Sequence, residues 1–191
     1  MSRAGFVLVG GKSSRMGQNK AFLRIGESSL LDRATSAVRA AAGNVSLLGD
    51  PEIYGHLGFA VIPDEIADAG PLAGICSALR TGADWNLVAA CDMPTLSVEL
   101  LRALFEEAEA NDPNCVIPQS SSGRLEPLCA VYHKRCLAPI HEALERGVRK
   151  VTQALEGLRI QRAAAFENPA FENPAFENLN TPQDWNRFVN G

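Results

Sequence analysis

The amino-acid sequence predicts an α/β fold with a mostly parallel central sheet. Short β-rich segments alternate with segments of helical periodicity, which is the pattern of βαβ units. The chain has 191 residues, and at roughly 150 residues per domain we expect one domain that spans 1–191. Six segments have the composition of strands: Phe6–Val9, Val45–Leu48, Phe59–Ile62, Leu87–Ala90, Cys115–Ile117 and Leu128–Tyr132.

Four helices are predicted from capping residues and apolar spacing. The segment from Ser29 to Asp32 has the form of a capping box, and the helix that it opens ends at Gly43. Thr181 and Pro182 provide a cap and a first-turn proline for the last helix. That last helix is predicted over Pro182–Val189. The remaining two helices are predicted over Pro71–Thr81 and Ser97–Ala110.

Composition and charge exclude several classes of protein. Hydrophobic residues make up 46% of the chain and charged residues 21%, which is typical of globular domains and excludes a disordered chain. The apolar runs are shorter than the ~18 residues of a membrane helix, and no signal-peptide pattern opens the sequence, so we expect a cytoplasmic protein without a membrane partner. The formal net charge of −4 disfavours nucleic acid as a partner. Five cysteines without a C-x-x-C pair predict reduced, buried thiols.

One segment departs from the alternation of strands and helices. The block Ala-Phe-Glu-Asn-Pro occurs at 165–169 and 170–174, and Ala-Phe-Glu-Asn recurs at 175–178. A period of five residues matches neither a strand nor a helix, so we predict a repetitive loop insertion over 165–178. An interaction module that presents these repeats to a partner stays an alternative function.

The strongest functional signal follows the first predicted strand. Gly10 and Gly11 allow the backbone to turn sharply and to approach a ligand closely, and the N–H groups of such a turn can bind an anion. The pattern matches neither the Walker A loop nor the dinucleotide-binding G-x-G-x-x-G. Lys12, Arg15, Lys20 and Arg24 make this segment basic within an acidic chain, so its local field is positive and the glycine turn suits a phosphate.

Asp92 is the second candidate. It follows a near-continuous apolar run that predicts a buried strand, and ligands of open α/β sheets bind beyond the carboxyl ends of the strands. A carboxylate there can hold Mg²⁺ together with substrate phosphates. A lone aspartate after a strand is more often a turn or cap residue than a metal ligand. The Gly70-Pro71 pair, earlier in the chain, can likewise be a simple helix start with proline at the first position.

These motifs, in this order, resemble the molybdenum cofactor guanylyltransferases of the MobA-type nucleotidyltransferase family. The resemblance covers Phe6–Trp185 and implies a three-layer, Rossmann-like nucleotidyltransferase fold with a mostly parallel central sheet. It also implies Mg²⁺-dependent transfer of GMP from GTP to the phosphate of molybdopterin or the molybdenum cofactor, with release of pyrophosphate. The segments that carry it are G-G-x-S-x-R-M-G-x-x-K after the first strand, G-P-L-A-G-I at 70–75, D-M-P at 92–94, R-L-E-P-L at 124–128 and F-x-N-x-N-T-P-x-D at 176–184.

The resemblance assigns expected roles to individual residues. The catalytic residues are Arg15 and Lys20, which neutralise charge on the phosphates, and Asp92, which also binds the metal ion. The expected nucleotide-binding residues are Leu8, Val9, Gly10, Gly11, Ser13, Lys20, Asp64, Gly70, Pro71, Leu72, Gly74 and Asp92. The expected acceptor-binding residues are Arg124, Glu126, Pro127, Asn178, Asn180 and Thr181. A molybdoenzyme or a cofactor-delivery protein is the expected protein partner.

The chain departs from the family pattern at two places. The family often has an asparagine near the base just after its second strand, where this chain has Gly49-Asp50, and the repeated block is not part of the pattern. A molybdopterin cytidylyltransferase, another sugar or isoprenoid nucleotidyltransferase and a nonenzymatic nucleotide-binding regulator on the same fold stay open. His56, His133 and His141 share no motif, so we expect surface or helix positions without a catalytic role.

Overall fold

The computed structural model describes residues 1–9, 19–64, 66, 69–120, 123–164, 179 and 182–190. Seven strands form one sheet: β1 (Arg3–Leu8), β4 (Ser46–Leu48), β5 (Val61–Ile62), β6 (Trp85–Ala90), β7 (Cys115–Gln119), β8 (Cys129–His133) and β9 (Ile160–Ala164). A small hairpin joins β2 (Arg24–Ile25) to β3 (Ser28–Ser29). The helices are α1 (Leu30–Ala42), α2 (Pro51–Tyr54), α3 (Pro71–Leu79), α4 (Val98–Asn111), α5 (Leu137–Glu145), α6 (Val151–Ala154) and α7 (Pro182–Asn190).

The strand order in the sheet is β5-β4-β1-β6-β8-β7-β9. Strand β8 runs antiparallel to β6 and β7, and the other neighbouring strands are parallel. The prediction of a mostly parallel sheet is therefore confirmed. From β1 the chain first moves outwards through β4 and β5 and then returns to place β6 on the other side of β1. Such a reversal opens a crevice at the carboxyl ends of the strands, where α/β proteins bind ligands.

Helices cover both faces of the sheet, so the fold has the three layers that the resemblance implied. Alternate residues of a strand point to opposite faces: Val7 packs in the core with α1 and α4, whereas Phe6 and Leu8 pack with α3, α5 and α6. A third, smaller cluster joins the β2–β3 hairpin to the C-terminal segment through Leu23, Leu30 and Leu179.

Helix α1 has the predicted capping box. The Ser29 hydroxyl accepts a hydrogen bond from the backbone N–H of Asp32 at 3.1 Å, and the Asp32 carboxylate accepts one from the N–H of Ser29 at 2.9 Å. Gly43 ends the helix with a φ of 84°, in the left-handed region that favours glycine. The predicted cap at Thr181 and the repeats at 165–178 lie outside the described residues.

Several elements differ from the sequence-based expectation. Strand β9 and helices α5 and α6 were not predicted, and the predicted strand Phe59–Ile62 is a strand only at Val61–Ile62. His133 was expected on the surface or in a helix, but it lies in β8, where its ring meets the Trp85 ring edge-on at 4.6 Å between centroids. The five cysteines are buried and reduced, as predicted. None of the described helices is long and apolar enough to cross a membrane.

Gly5 allows α1 and the loop that follows it to lie directly against β1. A Cβ atom on Gly5 would be 2.5 Å from Cγ1 of Val38 and 2.7 Å from the backbone oxygen of Asn44. The Asn44 side chain is also paired with β1, because its oxygen accepts from the Gly5 N–H at 2.9 Å and its amide donates to the Arg3 carbonyl at 3.0 Å. The helix therefore cannot move outwards without breaking these bonds.

Gly5→Ala is expected to lower the free energy of unfolding by about 1–3 kcal/mol, as overpacking of a core does. Urea denaturation of the two proteins measures this difference. Gly55→Ala is the matched control, since a Cβ there meets no described heavy atom within 4 Å and the backbone φ is −62°. Equal stability of Gly5→Ala and the parent protein would contradict the close packing of α1 on β1.

Candidate active site

The candidate site lies where the carboxyl ends of β1 and β6 meet. Leu8 is paired in register with Ala90, and the Cys91 N–H donates to the Leu8 carbonyl at 3.1 Å. Val9 after β1 and Asp92 after β6 therefore lie at the ends of adjacent strands. This is the point at which the strand order reverses.

Lys20 and Asp92 meet at this edge. Lys20 begins a short 3₁₀ turn, Lys20–Phe22, and the Asn19 side chain caps that turn by accepting from the Ala21 N–H at 3.1 Å. The Lys20 Nζ atom lies 3.9 Å from Oδ2 of Asp92, and the two side chains are 16% and 22% exposed. A positive and a negative group thus share a partly buried position beside the crevice.

Burial and charge act in opposite directions on Asp92. Burial raises the pKa of the carboxyl, while the Lys20 ammonium and a backbone hydrogen bond lower it. Burial, together with the neighbouring Asp92 carboxylate, raises the pKa of the Cys91 thiol to about 12. The thiol is therefore protonated at neutral pH and does not act as a nucleophile.

Asp64 and the start of α3 lie next to β1 on the side of β4 and β5. Asp64 follows β5, and its Oδ1 atom would be 3.4 Å from a Cβ atom on Gly74. The same Cβ would be 2.5 Å from Cδ2 of Leu8, so Gly74 allows α3 to pack closely on the end of β1. Burial of the carboxyl group raises the pKa of Asp64. Leu72 is fully buried in the core.

Gly70 and Pro71 form the first turn of α3. Gly70 has a φ of 70°, a conformation that non-glycine residues rarely adopt, and Pro71 occupies the first position of the helix. Leu8 and Val9, at the end of β1 and directly after it, are also buried, with 8% and 5% of each residue exposed.

Arg124 and Glu126 form an ion pair on the other side of Asp92. The Nε atom of Arg124 donates to Oε1 of Glu126 at 2.6 Å, and Glu126 is only 5% exposed. Burial raises the pKa of Glu126 and Arg124 opposes that shift. The Leu128 carbonyl accepts from the Ala90 N–H at 2.7 Å, which holds this loop, including Pro127, against the end of β6.

The C-terminal segment reaches Asp92 through its backbone. The N–H of Leu179 donates to the Asp92 carbonyl at 3.0 Å, and its side chain is buried against Leu23 and Leu30. The expected site residues that fall outside the described residues are Gly10, Gly11, Ser13, Arg15, Asn178, Asn180 and Thr181, and their roles stay predictions. Within the described ranges, the structure contains no group of three or more His, Cys, Asp or Glu residues that could hold a metal ion.

Tyr54 is a part of this region that the sequence analysis missed. Its hydroxyl donates to the Val9 carbonyl at 2.6 Å and accepts from the Asn19 side-chain amide at 2.8 Å. Tyr54 belongs to no motif. Its contacts are with Val9 and Asn19, which lie 45 and 35 residues away along the chain, and no local sequence pattern predicts them. The sole hint is the Asp50-Pro51 helix start, which places an aromatic residue in the first turns after β4.

The profile of the MobA-like NTP transferase domain matches residues 5–160 of the chain. That range contains most of β1, all of β6, and both Lys20 and Asp92. The chain belongs to the MobA-like NTP transferase family.

Curated and solved relatives agree with this membership. The chain is 37% identical to a probable molybdenum cofactor guanylyltransferase of Pelotomaculum thermopropionicum, over 96% of this chain and 90% of that protein. It is 32% identical to a protein of the same description from Carboxydothermus hydrogenoformans, over 96% and 93%. The crystal structure of molybdopterin-guanine dinucleotide biosynthesis protein A from Archaeoglobus fulgidus has a TM-score of 0.85 at 27% identity, covering 98% of this chain and 97% of that one.

Membership of the family makes the chain a nucleotidyltransferase, as the resemblance implied. The family match extends over both strands that form the crevice and over the Arg124–Glu126 loop. It therefore favours an enzyme over a nonenzymatic regulator built on the same fold.

Lys20→Met is expected to raise the pKa of Asp92, because the burial that disfavours the carboxylate would then act without the opposing ammonium. Carboxyl ¹³C NMR titration of the metal-free protein measures that pKa. Lys150→Met is the control, since Lys150 is exposed at the start of α6. An Asp92 pKa that is the same in Lys20→Met and the parent protein would contradict the proximity of the two groups.

Proposed function

We propose that the chain is a molybdenum cofactor guanylyltransferase, which transfers GMP from GTP to the phosphate of molybdopterin or the molybdenum cofactor. The observation that carries the proposal is the proximity of Lys20 and Asp92 where the strand order reverses: Nζ of Lys20 lies 3.9 Å from Oδ2 of Asp92. The substrates are inferred from the description shared by the curated relatives. The product is then handed to a molybdoenzyme or to a cofactor-delivery protein.

The chemistry requires positioning and charge neutralisation. An oxygen of the acceptor phosphate attacks the α-phosphorus of GTP, the bond between that phosphorus and the oxygen bridging to the β-phosphate breaks, and pyrophosphate leaves with the bonding electrons. The acceptor is already an anion, so the reaction needs no strong base. Lys20, together with Arg15, stabilises the negative charge that shifts onto the leaving pyrophosphate.

Asp92 is suited to hold Mg²⁺. Its carboxylate is partly buried, and burial raises its pKa in spite of the nearby Lys20 ammonium, so a second cation would favour the charged form. Mg²⁺ keeps several waters and binds through one or two carboxylates plus substrate phosphates, and a single protein carboxylate is therefore sufficient. When bound, the ion supplies further positive charge to the phosphates.

The order of the strands supports binding of the two substrates on opposite sides of Asp92. Asp92 follows β6; on one side of it lie β1, β4 and β5, and on the other lie β8 and β7. We assign the nucleotide to the first side, next to the backbone of Leu8–Gly10, Asp64 and the start of α3 from Gly70 to Gly74. We assign the acceptor to the second side, next to Arg124, Glu126 and Pro127 and the segment with Asn178, Asn180 and Thr181. The α-phosphate then lies at Asp92, between the two.

Asp92→Asn is expected to lower the rate of pyrophosphate release by about 100-fold or more with GTP, Mg²⁺ and molybdopterin, because the neutral amide lacks the negative charge that attracts the cation. The assay measures pyrophosphate under single-turnover conditions. Glu142→Gln makes the same chemical change at an exposed carboxylate on α5 that pairs with Arg146, and it should leave the rate unchanged. Near-normal turnover by Asp92→Asn would overturn the assignment of Asp92.

Nucleotide preference is tested by thermal unfolding with Mg²⁺ and GTP, CTP, UTP or ATP. A ligand at 100 times its Kd stabilises the folded state by about 2.7 kcal/mol, which corresponds to a rise of several degrees in Tm for a domain of this size. We expect the largest rise with GTP. A rise with CTP alone would replace guanylyl transfer by cytidylyl transfer, and no rise with any nucleotide, with molybdopterin present as well, would contradict the proposal.

A further inference from the structure

The Tyr54 hydroxyl joins two segments that lead to the candidate site. Tyr54 is 3% exposed, and its hydroxyl contacts the Val9 carbonyl at 2.6 Å and the Asn19 amide nitrogen at 2.8 Å. Val9 follows β1, and Asn19 precedes the turn that carries Lys20. One buried group thus connects the end of the central strand with the base of the catalytic lysine.

Both hydrogen-bonding functions of the hydroxyl are used. A carbonyl only accepts and an amide NH₂ only donates, so the hydroxyl must donate to Val9 and accept from Asn19. Burial raises the pKa of the Tyr54 phenol, which keeps the proton that the bond to Val9 requires. Phenylalanine at this position would keep the ring and lose both bonds.

The contact with Asn19 extends directly to the Lys20 turn. The same Asn19 side chain that donates to Tyr54 also accepts from the Ala21 N–H at 3.1 Å, and the Leu23 N–H donates to the Lys20 carbonyl at 3.0 Å. The Phe22 ring is tilted by 31° to the Tyr54 ring, with 6.0 Å between the ring centroids. The turn is therefore fixed to Tyr54 by a side chain at each end.

The contact with Val9 extends to Asp92. The Val9 N–H donates to the Leu48 carbonyl at 3.1 Å, and the Leu8 carbonyl accepts from the Cys91 N–H at 3.1 Å. The backbone next to Asp92 is thus held to the same strand end that accepts from Tyr54. The distance between Lys20 and Asp92 depends on two connected segments that meet at one hydroxyl group.

We propose that Tyr54 is a positioning residue, whose hydroxyl holds Lys20 opposite Asp92 for the transfer reaction; this inference rests on the proposed function. The hydroxyl acts through Asn19 and the Lys20 turn. Its removal changes where the ammonium lies and leaves the ammonium itself in place.

The first test is Tyr54→Phe, examined without any substrate. Amide hydrogen exchange of Ala21 and Leu23 is expected to become about tenfold faster, because the turn loses the bond that fixes its cap. Tyr132→Phe is the matched control: Tyr132 is the other tyrosine of the chain, it is fully buried, and its hydroxyl donates to the Pro127 carbonyl at 2.6 Å. Exchange at Ala21 and Leu23 that is unchanged in Tyr54→Phe, or equally faster in Tyr132→Phe, would overturn the inference.

The second test is a double-mutant cycle with Lys20→Met, read as kcat/KM for GTP in pyrophosphate release. Tyr54→Phe is expected to lower kcat/KM about tenfold in the parent protein and to have little effect once Lys20 is replaced, because the two residues act as one unit. An equal fold loss in both backgrounds would mean that Tyr54 does not act through Lys20 and would overturn the proposal.

Asn19→Ser provides a second variant if Tyr54→Phe does not fold. Serine can still cap the turn, but its side chain is too short to replace the amide that reaches Tyr54. It should reproduce the loss of kcat/KM in the parent background, and full activity would overturn the proposal. Absence of pyrophosphate release by the parent protein would instead overturn the proposed function, while the exchange experiment would still decide the role of Tyr54.

Discussion

The candidate site depends on the central position of β1, between β4 and β6. Backbone hydrogen bonds join its end to both neighbours, from the Val9 N–H to the Leu48 carbonyl and from the Cys91 N–H to the Leu8 carbonyl. Close packing supports the strand from both faces, since Gly5 allows α1 to lie against one face and Gly74 allows α3 to lie against the other. Residues that are far apart in the chain leave the sheet here within one strand spacing of each other.

This geometry sets the electrostatics of the site. Asp92 is placed where burial works against its charge, and Lys20 is placed where it compensates that cost in part. A further cation next to such a partly compensated carboxylate would stabilise its charged form, whereas the carboxylate without any cation would be disfavoured by burial. The nucleophile and the leaving group both carry phosphate charge, so a site that supplies positive charge at a fixed point matches what the transfer reaction requires.

The sequence predicted the parts of the fold that depend on local patterns. The capping box at Ser29, the end of α1 at Gly43 and the buried strand before Asp92 each have a signature within a few residues. Strand β9 was missed because its segment is short and contains Gln161 and Arg162, so that pairing with β7, rather than its own composition, makes it a strand.

The residues of the candidate site also fall into those with a local sequence pattern and those without one. Motifs predict roles for Lys20 and Asp92, and the resemblance adds Asp64, Gly70 and Arg124. Tyr54 and Leu179 could not be found in this way, because both contribute through long-range hydrogen bonds of common groups, a phenol in Tyr54 and a backbone amide in Leu179. Only the folded chain brings such groups to Val9 and Asp92.

The contact of Leu179 with Asp92 affects the order in which the enzyme is assembled. Proteins are made from the N-terminus, and their parts can begin to fold during synthesis. The residues of β1, β6 and the Lys20 turn are synthesised long before Leu179. The hydrogen bond to the Asp92 carbonyl and the packing on Leu23 and Leu30 can form only after Leu179 has been made. A nascent chain can therefore have the sheet and its crevice before the contact with Asp92 exists, and the backbone around Asp92 is fully bonded only after Leu179 has been made.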